Sequence, residues 1–442
     1  MHKPSFTTPD LDAFCLLDTH GLTVTGQAVD VDHAILECRT STDDPDAWCR
    51  ECGAEGIPRG TAVRRLIHVP LGWRPTILHV HVHVRVRRYR CPDCARVWRE
   101  DLTKVAAPRA KLSRPAVLWA LKCLVIDRMS ISRIAASLGA AWHTVNTAIL
   151  ATGQQLLVDD PNRFDGVRVL GVDEHVWRHT PFGSKYVTVI IDLTPVRDKT
   201  GPSRLLDIVQ GRSKKVFKTW LTTQSREFRA GVEEIAMDGF TGYKSAATEE
   251  LPEATAVMDP FHVVALAGNA VERCRQRIQQ ETLGHRGRSG DPLYGIRRIL
   301  LTGANLLTEK QADRLQTVLA AEEHTQVEVT WWFYQRIVAA YRHPDRTRGR
   351  HRLRAVIQSL CAGVPAALKE LTTLGRTLRR RATDVLAYFD RPGTSNGPTE
   401  AINGRLEHLR GTALGFRNLG HYLLRALLDT GGFRPLLHSH LR

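Results

Sequence analysis

The stretch VRVLGVDE at residues 167–174 decides the fold, together with KYVTVIIDL at residues 185–193. Both runs are β-branched and apolar, and this composition predicts two buried strands. The polar segment between them contains proline and glycine, as the connection of a hairpin does. The first strand therefore carries Asp173 to its end, and the second strand returns antiparallel beside it.

A second acid follows a similar run. VEEIAM at residues 232–237 predicts another short strand, which ends in Asp238. Gly239 then allows the chain to turn sharply into a helix. We expect Asp238 to lie beside Asp173, on the end of an adjacent strand.

The third acid lies far along the chain, in TSNGPTEAIN at residues 394–403. Ser395 or Asn396 can cap a helix there, and Pro398 suits its first turn. Glu400 then lies on this helix, and Asn403 is one turn further along the same face. Two strand-end aspartates and one helical glutamate make a DDE set, and a strand that carries an acid beside an antiparallel neighbour opens a ribonuclease-H-like sheet.

Three carboxylates are the ligands that a hard cation requires. Mg²⁺ prefers oxygen ligands in octahedral geometry, and two such ions about 3.5 to 4 Å apart support in-line phosphoryl displacement. Taken alone, Asp173 could be a turn residue, and Glu400 could be a solvated helix acid or a cap. Together the acids predict an active site in which Asp173, Asp238 and Glu400 hold two Mg²⁺ or Mn²⁺ ions.

An Asp-x-x-His pair, Asp259 and His262, follows one more predicted strand. At a strand end near the acids, these side chains could orient a nucleophile or the metal ligands. They could equally form a structural turn, and the sequence leaves both interpretations open.

The amino-acid composition indicates which class of partner the protein binds. The chain has 442 residues, 43% of them hydrophobic, and a net charge of +16. This excess of basic residues indicates a nucleic-acid partner, because neutralised phosphates release counterions. A run long enough to span a membrane and a signal sequence are both absent from the sequence, so we expect a cytoplasmic protein that makes no membrane contact.

Two Cys-x-x-Cys motifs, CREC at residues 49–52 and CPDC at residues 91–94, supply four thiolates. Two such knuckles on hairpins are typical of a closed tetrahedral zinc site. The sequence therefore predicts one structural Zn²⁺ held by Cys49, Cys52, Cys91 and Cys94.

Residues 130–149 predict two short helices that meet at Gly139. This is the pattern of a helix-turn-helix, whose second helix enters the major groove, although an ordinary helical hairpin would share it. The residues expected to contact DNA are Arg133, Trp142, His143, Thr144 and Asn146.

Residues 265–390 are helical in pattern and separate the last predicted strand from Glu400, as an insertion would. The predicted fold is a multidomain α/β protein with a ribonuclease-H-like core and a large helical insertion. Its parts are a zinc ribbon (1–106), a helix-turn-helix (107–160), the first part of the core (161–264), the insertion (265–390) and the final core helices with Glu400 (391–442).

In order, these motifs resemble the ISL3 family of bacterial insertion-sequence transposases over nearly the whole chain. The stretch LGFRN at residues 414–418 also matches, with Leu414 where an aromatic residue is usual. The resemblance implies a DDE transposase that binds the terminal inverted repeats of its element and moves the DNA into a target. It implies catalytic roles for Asp173, Asp238 and Glu400, with Asp259, His262 and Asn403 as accessory residues.

Double-stranded DNA is therefore the expected partner, as terminal repeats and as target. A homodimer is expected when two ends are paired. Two other functions stay open at this point. A domesticated repressor would keep the DNA-binding modules, and a related nuclease would cleave DNA without strand transfer.

Overall fold

Two small hairpins precede the main part of the fold in this computed structural model. The residues that the structure describes are Thr8, Asp10, Asp12, 22–29, 34–40, 88–90, 97–99, 106–180 and 184–439. The chain divides into two units, Met1–Val82 and His83–Arg442. In the first unit, β1 (Leu22–Val29) pairs antiparallel with β2 (Ala34–Thr40).

In the second unit, β3 (Arg88–Arg90) pairs antiparallel with β4 (Val97–Arg99). The CPDC motif falls between these two strands in the sequence. All four cysteines of the predicted zinc site, Cys49, Cys52, Cys91 and Cys94, lie outside the described residues, so the zinc site stays a prediction.

Three helices follow: α1 (Arg114–Val125), α2 (Ile131–Leu138) and α3 (Trp142–Gly153). The hydroxyl groups of Ser113 and Ser130 cap α1 and α2 by accepting backbone N–H groups. Gly139 ends α2 at a φ of 62°, a left-handed conformation that glycine adopts without steric cost, and the chain turns there into α3. A π-helix (Gln154–Val158) and a 3₁₀-helix (Pro161–Phe164) lead to the sheet.

A five-stranded sheet forms the centre of the second unit. Its strands are β5 (Val169–Val176), β6 (Tyr186–Asp192), β7 (Arg204–Gln210), β8 (Glu234–Met237) and β9 (Thr255–Met258). The spatial order is β7-β6-β5-β8-β9. The pairs β5–β6 and β6–β7 are antiparallel, whereas β5–β8 and β8–β9 are parallel.

Four helices connect these strands. They are α4 (Thr194–Arg197), α5 (Lys214–Thr223), α6 (Arg226–Gly231) and α7 (Thr241–Glu250). Alternate strand residues face opposite sides of the sheet. Leu170 and Val172 pack with α5 and α7 on one side, whereas Val169 faces a cluster on the other side that includes residues of α1, α2 and α3. The helices of residues 107–160 therefore share a hydrophobic core with the sheet.

Strand β5 differs from the prediction, because it does not end at Asp173. Its antiparallel ladder with β6 continues through the pair Val176↔Tyr186. The parallel ladder with β8 stops earlier, at the pair Val172↔Met237. Asp173 therefore leaves the parallel ladder at its end although it stays inside a strand. Strand β7 was not predicted, since Arg204 and Asp207 interrupt its apolar pattern.

The predicted helical character of residues 265–390 is confirmed. The helices are α8 (Pro260–Leu283), α9 (Pro292–Gly295), α10 (Arg297–Leu300), α11 (Glu309–Leu319), α12 (Thr325–Tyr341), α13 (Arg346–Ala362), α14 (Lys369–Arg380) and α15 (Ala382–Asp390), with 3₁₀-turns at Ala304–Leu306 and Glu322–His324. They enclose a hydrophobic cluster of their own that reaches the sheet at Met258.

The chain closes with α16 (Gly397–Thr412), α17 (Leu419–Thr430) and α18 (Arg434–Ser439). Helix α16 lies very close to β5 at Gly171. A Cβ atom at Gly171 would lie 2.6 Å from Oγ1 of Thr399, so only glycine permits this approach. The close packing brings Glu400 and Asn403 beside the strand that carries Asp173.

Among the described residues, no helix is both long enough and apolar enough to cross a membrane.

Candidate active site

Asp173 is the centre of the site and lies on the same face of β5 as Gly171. Its Oδ2 accepts a hydrogen bond from Nδ2 of Asn403 at 2.9 Å and a longer one from Nδ2 of Asn396 at 3.5 Å. Its Oδ1 accepts the backbone N–H of Glu174 at 2.8 Å. Both carboxylate oxygens are therefore held by neutral donors.

The surroundings of the Asp173 carboxyl group disfavour its charged form. Its pKa is raised to about 6, chiefly by burial and also by the nearby carboxylate of Asp238. The N–H of Glu174 and the imidazole of His262 act in the opposite direction. Asp238 and His262 therefore lie near enough to Asp173 to affect its ionisation, and a bound cation would favour the charged form.

Asp238 follows directly after β8, at the end of the strand next to β5. Its Oδ1 accepts the backbone N–H of Phe240 at 2.8 Å, which closes the turn before α7. The insertion reaches the same turn, because Nη1 of Arg381 donates to the carbonyl oxygen of Gly239 at 3.2 Å. Arg381 is itself paired with the buried Asp384 at 2.6 Å. The turn that carries Asp238 is thus held from both sides.

Glu400, Asp259 and His262 form a second group beside these aspartates. Their ligand atoms lie within 4.8 Å of one another, close enough to share one metal ion. Asp259 is buried, whereas Glu400 is exposed. The structure therefore brings together Glu400 and the Asp-x-x-His pair, which are far apart in the sequence.

Asp259 has the structural role that the sequence allowed, and it also lies in the group with Glu400 and His262. Its Oδ2 accepts the N–H of Phe261 at 2.9 Å and caps α8, as a structural residue does. Its Oδ1 accepts the N–H of Asn396 at 2.8 Å, which ties α8 to the start of α16. Asp259 is thus both a helix cap and a member of the cluster around Glu400.

The donor set fits a divalent cation. Among the described residues, no lysine or arginine forms a salt bridge with Asp173, Asp238, Asp259 or Glu400. The same region contains buried oxygen atoms without a hydrogen-bond partner: Oδ1 of Asn396, Oδ1 of Asn403 and Oγ1 of Thr399. Carboxylate and amide oxygens are ligands that Mg²⁺ and Mn²⁺ accept.

Asn396 is the site residue that the sequence analysis missed. The sequence suggested it as a helix cap, and it does occupy the N-cap position of α16, but its side chain makes no capping hydrogen bond. Its amide is directed to Asp173 and its backbone N–H to Asp259 instead. The prediction that Pro398 lies in the first turn is confirmed.

The two neighbouring acids of the hairpin are placed differently. Glu174 faces away from the site, and its carboxylate pairs with Arg212 at 3.2 Å. Asp192 lies at the other end of the sheet, where it pairs with Arg204 at 2.9 Å. Neither residue belongs to the cluster.

The helices α2 and α3 present most of the predicted DNA-contacting residues outward. Arg133, Trp142 and His143 are exposed, and Thr144 is half-buried. Asn146 differs from the others: it is only 4% exposed, because it lies on the inner face of α3 beside Val145. Thr147, which the sequence analysis did not name, is exposed one turn after His143.

The sequence of this chain is similar to those of known transposases. A sequence model of the ISL3 transposase family, described as "Transposase", matches residues 170–426, from the strand with Asp173 to beyond the helix with Glu400. The transposase for insertion sequence element IS1557 from Mycobacterium tuberculosis is 24% identical over 431 residues, which cover 89% of this chain and 88% of the relative. The transposase for insertion sequence element IS1001 from Bordetella parapertussis is 25% identical over 386 residues, with coverage of 85% and 87%.

Proposed function

The chain belongs to the ISL3 family of insertion-sequence transposases, and from this premise we propose that Asp173, Asp238 and Glu400 are its catalytic acids. The observation that carries the assignment is that β5, β8 and α16 meet at one end of the sheet. There, Nδ2 of Asn403 donates a hydrogen bond to Asp173 at 2.9 Å. The strand order β7-β6-β5-β8-β9, with three antiparallel and two further parallel strands, supports a ribonuclease-H-like core.

We propose that the three acids hold two Mg²⁺ or Mn²⁺ ions, with Asp259 and His262 as accessory residues near Glu400. Such ions activate the attacking oxygen and stabilise the leaving oxygen of a phosphodiester. The chain's own residues orient the acids. Asn403 and Asn396 fix the carboxylate of Asp173, and Arg381 fixes the turn that carries Asp238.

The proposed substrate is double-stranded DNA, as the terminal inverted repeats of the element and as target DNA. The net charge of +16 supports a polyanionic partner. We propose that α2 and α3 act as a helix-turn-helix that contacts end DNA through Arg133, Trp142, His143 and Thr144. Strand transfer requires two ends, so we also propose a homodimer in the paired complex.

The first experiment separates cleavage from binding. Asp173→Asn, Asp238→Asn and Glu400→Gln keep the shape of each side chain but remove its charge. With duplexes that carry the inverted repeats flanking its gene, each variant should bind normally, whereas cleavage with Mg²⁺ falls by about 10³-fold or more. Glu174→Gln, next to Asp173 but directed to Arg212, is the matched control and should cleave like the parent.

Normal cleavage by Glu400→Gln would overturn the assignment. The same assay decides between the functions that the sequence left open. A transposase joins the freed 3′-hydroxyl end to target DNA, a nuclease releases cut ends only, and a repressor does neither.

We also propose that Cys49, Cys52, Cys91 and Cys94 bind one Zn²⁺. Metal analysis of protein purified without chelators should give about one zinc ion per chain, and Cys91→Ser should lose it. Zinc-free parent protein that binds end DNA with full affinity would contradict the proposal.

A further inference from the structure

A cleft of about 620 Å³ lies outside the acid cluster. One wall is the chain after β5, with Trp177, Arg178 and His179. The other wall is the end of α16 and the loop after it, including Arg410, Leu414 and Arg417. The two elements that supply the walls are those that carry Asp173 and Glu400.

The cleft is basic and mostly unneutralised. Among the described residues, Arg410 pairs with Glu407 at 3.1 Å, but Arg178 and Arg417 form no salt bridge with an acid. Both of these arginines are exposed. Guanidinium groups without an acidic partner are suited to bidentate contacts with phosphate.

Two aromatic side chains that line the cleft, Trp177 and Phe416, pack against Tyr422. Phe416 packs edge-on against Tyr422, with ring centroids 5.2 Å apart. The ring centroid of Tyr422 also lies 6.0 Å from that of Trp177 and 6.3 Å from that of His175. The indole N–H of Trp177 donates to the carbonyl oxygen of Ser184 at 3.1 Å. Aromatic surface beside arginine is the combination that holds an unpaired nucleotide.

Leu414, which lines the cleft, has an exposed apolar side chain and an unfavourable backbone conformation. Its side chain is 98% exposed, and its backbone φ is 52°, a region that residues other than glycine and asparagine rarely adopt. Within the described residues, packing does not account for a bulky apolar side chain at this position. Apolar side chains in such positions insert between stacked bases in proteins that distort DNA.

The cleft lies at a definite distance from the acids. Trp177 is four residues after Asp173 along an extended chain, about 13 Å away, and Arg410 is ten residues after Glu400 on α16, about 15 Å away. At a rise of about 3.4 Å per base pair, these distances correspond to about four base pairs of DNA.

We propose that this cleft binds one nucleotide of the substrate DNA that has left the duplex, about four base pairs from the cleavage position. Arg178 and Arg417 contact its phosphates, Phe416 supports its base, and Leu414 enters the base stack that it leaves. The inference rests on the proposed function, because the four-base-pair distance is counted from the proposed catalytic acids.

The decisive experiment places 2-aminopurine at successive positions of a duplex inverted repeat and measures fluorescence on binding in EDTA, where no cleavage occurs. With the parent protein, one position near the fourth base pair should brighten about threefold or more as its base unstacks. Leu414→Asn keeps a similar size and suits the positive φ, so it should fold and bind but lose the increase. Leu414→Trp should retain it.

The second arm tests the arginines. Arg178→Ala and Arg417→Ala should each weaken binding to the inverted repeat about tenfold and reduce the slope of log affinity against log salt by about one. Arg226→Ala is the control, since Arg226 is exposed on α6, which leads into the opposite end of the sheet, and should leave affinity unchanged.

Equal brightening with parent and Leu414→Asn would overturn the role of Leu414, and parental affinity of both arginine variants would overturn the cleft. Neither readout involves cleavage. If Glu400→Gln cleaved normally while 2-aminopurine still brightened in a Leu414-dependent way, the acid assignment would fail and the cleft would stand, with its distance from the cleavage position remeasured.

Discussion

The two ends of the central sheet both carry acids, and the difference lies in their partners. At the end where β5 and β8 begin, Asp192 pairs with Arg204 at 2.9 Å, and Glu234 faces Arg197 at 3.4 Å and Arg391 at 3.6 Å. We call this the paired end. At the end where the parallel ladder stops, Asp173, Asp238 and Glu400 have amide, backbone and imidazole neighbours but no arginine or lysine salt bridge among the described residues. We call this the open end.

The comparison distinguishes acids that are neutralised within the chain from the acids for which we propose a divalent cation. A buried carboxylate costs free energy unless it is paired, and the paired end meets that cost with arginines of the same chain. At the open end the cost remains and is visible in the raised pKa of Asp173. Such an arrangement gives up stability in the metal-free protein and retains ligands for a divalent ion.

The largest effect on stability is expected from breaking the paired end. Arg204→Ala leaves Asp192, 2% exposed, with no guanidinium partner and should cost about 3–5 kcal/mol. Arg212, two residues after the other end of the same strand, is the matched control. Its partner Glu174 is partly exposed and its guanidinium stacks on Tyr186, so Arg212→Ala should cost about 1 kcal/mol. Urea denaturation at pH 7 measures both variants, and equal losses would contradict the comparison.

Removing the charge of Asp173 at the open end should raise the free energy of unfolding, whereas loss of Arg204 lowers it. The folded-state pKa of Asp173, about 6, lies above its ordinary value of 3.8, so the parent loses stability as pH rises from about 4 through 6. In EDTA, Asp173→Asn should therefore be more stable than the parent at pH 8, by up to about 3 kcal/mol. The gain should shrink below pH 5.

The control for this pH dependence is Glu174→Gln, which removes a partly exposed charge one residue away. Its unfolding free energy should differ from that of the parent by a similar small amount at pH 5 and pH 8. If Asp173→Asn showed the same difference from the parent at both pH values, burial of the Asp173 charge would not be the cause.

A divalent ion should supply the positive charge that the acids of the open end lack. At pH 8, Mn²⁺ at a concentration well above its Kd should stabilise the parent by about 2 kcal/mol, seen as a rise in melting temperature. Asp238→Asn should lose most of this rise, whereas Arg204→Ala should keep it from a lower starting temperature. A rise of equal size in the parent and in Asp238→Asn would place the ion elsewhere.

The smallest effect concerns the amide that supports Asp173. Asn403→Ala removes the donor at 2.9 Å and leaves the longer contact of Asn396 at 3.5 Å. Because the lost hydrogen bond favours the charged carboxylate, the variant should lose about 1 kcal/mol in EDTA at pH 8 and less at pH 5. The control is Thr412→Ala, at an exposed position of the same helix, which removes no ionisable group and should therefore change stability equally at pH 5 and pH 8. An equal loss for Asn403→Ala at both pH values would remove the amide's electrostatic role.

Much of the site was predictable because its residues are marked by local patterns. An apolar β-branched run predicted the strand with Asp173, a second run predicted the strand before Asp238, and proline after a polar pair predicted the helix with Glu400. The hairpin of β5 and β6 and the helical character of residues 265–390 followed from the same kind of pattern. These features depend on side-chain periodicity and turn chemistry, which a few neighbouring residues determine.

The features that the sequence pattern did not indicate are those that distant segments decide. Strand β5 continues past Asp173 because β6 offers it a partner, and Asn146 is buried because the inner face of α3 packs into the core around the sheet. Strand β7 was missed since its charged residues hide an apolar pattern that its neighbour β6 completes.

The sequence by itself determined which residues are acids, on which elements they lie and in what order. Only the tertiary structure decided which acids are neutralised and which stay open, because that depends on contacts between remote residues. Asn396 reaches Asp259 across 137 positions, and Arg381 reaches the turn after Asp238 across 142 positions. No local pattern encodes such pairs, since they form only when the packing of β5, α8, α15 and α16 brings their polar groups within hydrogen-bond distance.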